Sequence, residues 1–229
     1  MHSQQKVGAV IVAAGSGERM GRGDKLMALL GGEPVIARVA STFQNCKLIS
    51  QIVLVLSEAN LERGKQLAIA HGWSKVSDIC PGGRRRQDSV VSGLNRLKDC
   101  DWVVVHDGAR PLVTEDLISR GLIAAEATGA AAAAVPVTDT IKVAGDDMFI
   151  RKTPPRRKLW AVQTPQVFRL ATIASAYRHI EDNEVTDDAA AVEQSGHQVK
   201  LYMGAYDNIK ITTPSDLALA EVLLGKHGR

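Results

Sequence analysis

Glycines and cationic residues are concentrated between Gly15 and Lys25, directly after the apolar residues 10–14. The segment holds four glycines and three cations: Gly15, Gly17, Gly21, Gly23, Arg19, Arg22 and Lys25. Glycine lets backbone N–H groups turn toward a bound anion, because no Cβ stands in the way. Arg and Lys side chains supply the opposite charge. A segment of this kind after a buried strand predicts a binding loop for a polyphosphate.

Two common nucleotide-binding loops do not match this segment. The dinucleotide fingerprint G-x-G-x-x-G requires a third glycine where Met20 stands, and the P-loop requires a Gly-Lys-Ser or Gly-Lys-Thr sequence that occurs nowhere in the chain. The pattern that remains is A-A-G-x-G-x-R-M, followed by Lys25. It resembles the signature loop of nucleotidyltransferases that join a nucleoside triphosphate to a sugar or alditol phosphate.

Length and composition indicate an ordinary globular protein of one domain, or of one domain with a small excursion. The chain has 229 residues, of which 45% are hydrophobic and 23% charged, enough to bury a substantial core. A net charge of +3 does not favour a nucleic-acid partner. Three widely separated cysteines disfavour a disulfide framework and a zinc site. With only residues 1–6 before the first strand and no apolar run of membrane-spanning length, we expect a cytoplasmic protein without a membrane anchor.

Hydrophobic patterning predicts strands that alternate with helices. Such alternation is typical of an α/β fold with a mostly parallel sheet, in which ligands bind beyond the carboxyl ends of the strands. Three distinctive loops, residues 15–25, 82–89 and 107–111, follow predicted strands, so we expect them to converge on one pocket. The predicted strands are 10–14, 52–56, 76–79, 102–106, 130–137 and 199–203. The predicted helices are 35–43, 60–71, 90–97, 114–127, 170–180, 186–195 and one that starts at Pro214. Thr114 and Thr186 are the predicted caps of the helices 114–127 and 186–195.

Residues 138–163 interrupt this alternation. Two extended pieces, 138–143 and 159–163, flank a loop and the basic turn 156–158. We interpret them as a β-arm that leaves the main body. An exposed two-stranded arm is marginally stable alone, so it is expected to pack on its twin in a homodimer.

A set of motifs along the chain resembles the 2-C-methyl-D-erythritol 4-phosphate cytidylyltransferase family of the non-mevalonate isoprenoid pathway. The resemblance implies a single domain over residues 1–229, with a Rossmann-like sheet of the nucleotide-diphospho-sugar transferase type and an arm-exchanging homodimer. It also implies CTP and a sugar phosphate as substrates and Mg²⁺ as cofactor. The motifs, in order between residues 13 and 217, are A-A-G-S-G-E-R-M, G-G, D-S-V, V-H-D-G-A-R-P, D-T-I-K, L-W-A-V-Q-T-P-Q-V-F, V-T-D-D-A and D-N-I-K-I-T-T-P-x-D-L.

The same resemblance implies a role for each matching residue. Arg19 and Lys25 would stabilise the pentacoordinate phosphate, and Asp107 would lie near the nucleotide and its Mg²⁺. The positions implied for cytosine and ribose are Ala13, Ala14, Gly83 and Ser89, with Gly15 and Gly17 in the triphosphate loop. The positions implied around the sugar phosphate are Thr140, Arg156, Thr164 and Lys210. Thr140 and Arg156 would reach across from the partner subunit. Arg156 and Lys210 would orient that phosphate for reaction.

Some residues in these motifs have simpler interpretations. His106, at the end of a strand, is predicted to be a hydrogen-bonded core histidine rather than a base. Asp187 and Asp188 are interpreted as acids of a first helical turn rather than a metal pair. Positive charge at a helix start is unfavourable without an anion nearby, so Arg84 and Arg86 indicate phosphate, whereas Arg85 is predicted to be solvated.

Three other functions remain open from the sequence. A ribitol-5-phosphate cytidylyltransferase shares these motifs. A non-catalytic CTP-binding dimer would be expected to lack the loop cations, which are present. An NAD-dependent dehydrogenase is disfavoured by the missing third glycine.

Overall fold

A seven-stranded sheet lies at the centre of the protein. The computed structural model describes residues 5–15, 24–180 and 184–227. The sheet strands are β1 (Val7–Ala13), β4 (Gln51–Leu56), β5 (Val76–Pro81), β6 (Trp102–Asp107), β7 (Ala130–Pro136), β10 (Trp160–Arg169) and β11 (Lys200–Met203). Their order across the sheet is β11-β7-β10-β6-β1-β4-β5. Four further short strands are β2 (Leu29–Leu30), β3 (Glu33–Pro34), β8 (Val143–Ala144) and β9 (Ile150–Lys152).

Seven α-helices flank the sheet in the described part of the chain. They are α1 (Val35–Asn45), α2 (Leu61–Ala70), α3 (Arg86–Leu94), α4 (Glu115–Ala125), α5 (Leu170–His179), α6 (Asp188–Gln194) and α7 (Pro214–His227). Thr114 caps α4 by accepting a hydrogen bond from the Leu117 N–H, as predicted, and α7 begins at the predicted Pro214. None of the helices described is long and apolar enough to cross a membrane.

The predicted mostly parallel α/β sheet is confirmed. Strand β1 pairs in parallel with both β4 and β6, β4 with β5, and β11 with β7. The chain runs outward from β1 through β4 to β5 and then returns to the other side of β1 as β6. The carboxyl ends of β1 and β6 therefore form the switch point at which sheets of this type bind ligands.

Both faces of the sheet are buried along β1, β4, β6 and β7, which explains why these strands are nearly continuous apolar runs. Alternate residues of β1 enter different cores, with Ala9 and Ile11 on one face and Val10 on the other. Helix α3 approaches β1 closely at Gly93, where an added Cβ would lie 2.4 Å from a Val10 methyl group. This contact packs the last turn of α3 against the middle of β1.

Residues 159–163 are extended, as predicted, but their assignment to the arm was wrong, because the residues from Trp160 onward belong to β10 of the main sheet. Strand β10 runs antiparallel to both β7 and β6, and Trp160 pairs with Pro136. Pro165 lies inside the strand and lacks the N–H that a ladder requires. The strand accommodates it with a register shift between Val162 and Gln166.

The arm is narrower than predicted, and its two strands are β8 and β9. The chain leaves the sheet after Pro136 and returns at Trp160, and the Val137 N–H donates to the Leu159 carbonyl at 3.2 Å to close the base. The predicted basic turn, Arg156–Lys158, is a single 3₁₀ turn. Apolar side chains on the arm lie open to solvent in the protomer, including Phe149 at 70% exposure.

The predicted cap of α6 was also wrong. The helix begins at Asp188, and the Asp187 carboxylate accepts from the Ala190 N–H at 2.9 Å, so Asp187 is the cap rather than Thr186. The second Asp187 oxygen accepts from Gln166 Nε2 at 2.8 Å. This tertiary contact with β10 favours Asp187 over its neighbour.

Candidate active site

A cavity of about 370 Å³ opens beyond the carboxyl ends of β1 and β6. The three loops predicted to converge all contribute to its wall. Eight of the predicted site residues line it: Ala13, Ala14, Gly15, Lys25, Gly83, Ser89, Asp107 and Lys210. Val12, Leu26, Arg84, Arg85, Arg86 and Ala109 complete the wall.

A smaller cavity of about 150 Å³ adjoins the first and shares three residues with it, Arg86, Asp107 and Lys210. The predicted Thr164 lines this second cavity. Thr140 and Arg156 are exposed on the arm and line neither cavity of their own protomer. Arg19 and Gly17, predicted to hold the triphosphate, lie outside the described residues.

Close packing explains the two glycines after β5. A Cβ at Gly82 would lie 2.2 Å from the Ala14 Cβ, and one at Gly83 would lie 2.3 Å from the Asp88 Cβ. The Gly83 N–H donates to Ser89 Oγ at 3.1 Å. The loop after β5 is thereby held against both the end of β1 and the first turn of α3.

Asp107, the last residue of β6, carries the only carboxylate among the described residues that line the larger cavity, and three cations surround it. Arg86 Nε lies 3.2 Å from Oδ1, while Lys210 Nζ and Arg110 Nε lie 2.9 Å and 3.5 Å from Oδ2. Burial alone would raise the pKa of Asp107, but attraction to Arg86, Lys210 and Arg110 outweighs it and holds the pKa well below its usual range. Asp107 is therefore ionised throughout the physiological range.

Arg86 bridges two carboxylates at the first residue of α3. Its second guanidinium nitrogen lies 2.7 Å from Oδ2 of Asp188, which is fully buried, and the Tyr177 hydroxyl donates to the other Asp188 oxygen. Burial opposes the charge of Arg86, but Asp188 and Asp107 raise its pKa above the ordinary value. Arg86 is thus a fixed cation at the boundary between the two cavities.

The sequence missed this role of Asp188, which we interpreted as a first-turn acid. Its partner Arg86 is 102 positions earlier in the chain. The neighbouring Arg85 forms an ion pair with Asp88 at 2.8 Å, with both side chains 33% exposed. That pair accounts for a positive residue at a helix start without invoking a ligand.

His106 is a core histidine, as predicted. Its Nε2 lies 3.1 Å from the Arg110 carbonyl, which can only accept, so the proton is on Nε2. Nδ1 then accepts from the Thr164 hydroxyl at 3.0 Å, and that hydroxyl accepts in turn from the Asp107 N–H at 3.0 Å. Thr164 therefore links the Asp107 backbone to His106 through hydrogen bonds. Its predicted contact with substrate stays a prediction.

The pH dependence of stability should report on His106. Burial lowers the pKa of its imidazole from 6.5 to about 4, so the unfolded chain binds a proton between these values and the folded chain does not. This contribution is fully present above pH 6.5 and is lost as the pH falls to about 4, a change of ~3 kcal/mol in the free energy of unfolding. Denaturant unfolding at a series of pH values should show this slope, and His106→Gln should lack it. An equal slope in both proteins would contradict the assignment.

The loop that carries Lys210 is docked onto the end of β6. The buried Asn208 donates from its side-chain Nδ2 to the Thr164 carbonyl at 2.7 Å. The backbone carbonyl of Asn208 accepts from the Arg110 guanidinium at 2.8 Å. The Ile211 N–H donates to the Ala109 carbonyl at 2.8 Å. These contacts on both sides place Lys210 over Asp107.

A cation-lined cavity at the switch point of a mostly parallel sheet is the arrangement of a nucleotide-handling α/β enzyme. The profile of the 2-C-methyl-D-erythritol 4-phosphate cytidylyltransferase (IspD) family matches residues 7–226. The chain therefore belongs to this family, which confirms the resemblance read from its motifs, and its fold and enzyme class are those of a nucleotidyltransferase.

Individual relatives agree with this assignment. A protein of this name from Dehalococcoides mccartyi (strain ATCC BAA-2266 / KCTC 15142 / 195) is 53% identical over 229 residues, covering 100% of both chains. Another from Alkaliphilus oremlandii (strain OhILAs) is 45% identical, covering 98% of this chain and 97% of its own. The crystal structure of a 4-diphosphocytidyl-2C-methyl-D-erythritol synthase from Anaerococcus prevotii DSM 20548 superposes with a TM-score of 0.86 at 30% identity, over 97% of this chain and 100% of that one.

Proposed function

We propose that the protein transfers the cytidylyl group of CTP to 2-C-methyl-D-erythritol 4-phosphate in the cytoplasm. The products are 4-CDP-2-C-methyl-D-erythritol and pyrophosphate, for isoprenoid precursor synthesis. The observation that carries the proposal is membership of the family over residues 7–226, joined to a cation-lined cavity that holds eight of the predicted site residues.

The reaction is a substitution at the α-phosphorus of CTP. A phosphate oxygen of the second substrate forms the new P–O bond, and the bond to the pyrophosphate oxygen breaks. The nucleophile is already an anion near neutral pH, so the enzyme needs no base and no covalent intermediate. Its task is to bring two anions together and to stabilise the charge of the transition state. Lys25, on the wall of the larger cavity, supplies positive charge at this point, and Arg19 is proposed to act with it.

Asp107 is the residue that would hold Mg²⁺. Among the residues that the structure describes, no cluster of three or more acidic, histidine or cysteine side chains exists, so a site built by the protein alone is not present there. A single carboxylate fits a metal that arrives on the triphosphate, because Mg²⁺ usually takes one or two carboxylates together with substrate phosphates. When bound, the metal would neutralise charge on the phosphate oxygens.

Lys210 is suited to hold the phosphate of the second substrate. It contacts Asp107 at 2.9 Å, and 39% of its side chain is exposed to solvent, whereas Arg86 is fixed by two carboxylates and Arg110 is only 12% exposed. Of the three cations around Asp107, Lys210 is therefore the one most able to turn toward an incoming phosphate. Thr164 forms part of the same wall.

We place Thr140 and Arg156 of the partner subunit at this same phosphate. Both side chains are exposed on the arm, and neither lines a cavity of its own protomer. The arm also carries exposed apolar side chains such as Met148, Phe149 and Ile150. A homodimer formed through the arm would bury these side chains and complete each site.

Phe149→Asp is expected to weaken dimerisation at least tenfold, because a buried Phe contributes about 1.5–3 kcal/mol. Ile69→Asp is the matched control, since Ile69 is 82% exposed on α2 and Phe149 70% exposed on the arm. Deletion of residues 138–158 tests the whole arm, and the paired base at Val137 and Leu159 leaves the cut ends adjacent. Sedimentation equilibrium measures the association. A dimer unchanged by both arm variants would refute this assembly.

Pyrophosphate release tests the function directly. The protein is incubated with each of CTP, UTP, ATP and GTP against methylerythritol phosphate and against ribitol 5-phosphate, and the product is identified by mass spectrometry. We expect release with CTP and methylerythritol phosphate. Formation of CDP-ribitol alone would assign the ribitol activity instead, and CTP binding without release would indicate a non-catalytic protein.

A further inference from the structure

Asn60 connects two parts of the protein through its side chain. It is the last residue of a 3₁₀ turn, Glu58–Asn60, that runs directly into α2, and its side chain makes no capping hydrogen bond to the helix. Its Nδ2 instead donates to Oδ2 of Asp24, 36 positions earlier in the chain. Asn60 is only 9% exposed, whereas Asp24 is exposed, so this contact is partly buried.

Asp24 organises the turn that carries Lys25. Its other carboxylate oxygen accepts from the Leu26 N–H at 2.9 Å, and its carbonyl accepts from the Met27 and Ala28 N–H groups at 3.1 Å and 3.0 Å. Leu26 is buried in the core at 2% exposure. Lys25 is thus held between an anchored acid and a buried apolar residue.

We propose that Asn60 is a positioning residue for Lys25, acting through Asp24. A lysine side chain is long and has many rotamers. The direction of its Cα–Cβ bond therefore decides how often its ammonium group reaches the reacting phosphate. Asn60 itself lines neither cavity. The inference rests on the proposed role of Lys25.

Two substitutions separate this role from simple support of α2. Asn60→Ala removes the donor, whereas Asn60→Asp removes the donor but keeps a residue that caps helices as well as Asn does. A positioning role predicts that both lower kcat about tenfold, with Asn60→Asp affected at least as much because it brings a second carboxylate to Asp24. The KM for the sugar phosphate should stay unchanged, and the loss of one hydrogen bond should lower the melting temperature by only a few degrees. A capping role predicts wild-type kinetics for Asn60→Asp.

A double-mutant test shows whether the effect passes through Lys25. Adding Asn60→Ala to Lys25→Ala should cause no further loss of kcat, since the group being positioned is gone. Gln44→Ala is the matched control: Gln44 also holds a loop by its side-chain amide, at Ser74 and Lys75 beyond the other end of α2, and its loss should leave kcat unchanged.

Three results would overturn the proposal: wild-type kcat in Asn60→Asp, a full additional loss in the double variant, or an equal loss in Gln44→Ala. The proposed role of Lys25 fails separately, if Lys25→Ala keeps its kcat. A low kcat for Lys25→Ala beside a normal kcat for both Asn60 variants would remove only the positioning role.

Discussion

Replacing Lys25 by alanine is expected to lower kcat by about 10²–10³-fold, the effect of removing one fixed donor from a charged transition state. Lys25 lines the larger cavity together with Gly83 and Asp107, where the triphosphate is proposed to bind. The KM for CTP should change less, because the charge that Lys25 stabilises is greatest in the transition state. Steady-state pyrophosphate release measures both constants.

Lys65→Ala is the control for the loss of one positive charge. Lys65 lies on α2 with 57% of its side chain exposed and pairs only with the nearby Glu62 among the contacts described. Its replacement should leave kcat within twofold or about 0.4 kcal/mol. A kcat for Lys25→Ala equal to that of the control would remove Lys25 from the mechanism.

Replacing Asp188 by asparagine is expected to lower the free energy of unfolding by ~3 kcal/mol. The carboxylate is fully buried and contacts Arg86 at 2.7 Å, and removing one partner of a buried ion pair typically costs about 3–5 kcal/mol. The isosteric amide retains part of the hydrogen bonding, which places the expected loss at the lower end. Arg86 would also lose its second anchor, so kcat should fall together with stability.

Urea denaturation of the wild type and two variants measures the first effect. Asp116→Asn is the control, because Asp116 also pairs with an arginine, Arg120 at 2.7 Å, but its side chain is 73% exposed. Exposed pairs of this kind contribute about 0–1 kcal/mol. Equal losses in the two variants would show that burial does not determine the strength of the Asp188 contact.

The parts of the site that depend on local sequence could be predicted. Apolar runs ended by glycine fix strands and loops within a few residues, and parallel strands bring their carboxyl ends to one edge. Gly83 and Asp107 therefore lie on one wall, as expected, whereas Lys210 on the same wall was expected only from the resemblance to the family. The Thr114 cap and the start of α7 at Pro214 follow from equally local chemistry.

The errors have tertiary causes. Thr186 and Asp187 are both competent helix caps, and a hydrogen bond from Gln166 on another strand favours Asp187. Residues 159–163 were assigned to the arm, yet β10 takes up residues from Trp160 onward and continues past Pro165 through a shifted register, because it pairs with both β6 and β7. Contacts between Asp188 and Arg86, and between Asn60 and Asp24, join positions too distant for any sequence pattern to connect them.

The place of β1 within the sheet has a consequence for synthesis on the ribosome. Strand β1 emerges before both of its partners, β4 and β6, and β6 ends only at Asp107. Nascent chains shorter than this expose an apolar edge that can pair with other chains. Once Asp107 has left the exit tunnel, β6, β1, β4 and β5 can pair into a four-stranded sheet. The later strands then add to the edge of this sheet. A stop or slow translation before that point should therefore yield aggregation-prone fragments, whereas one after it should leave a partly folded half.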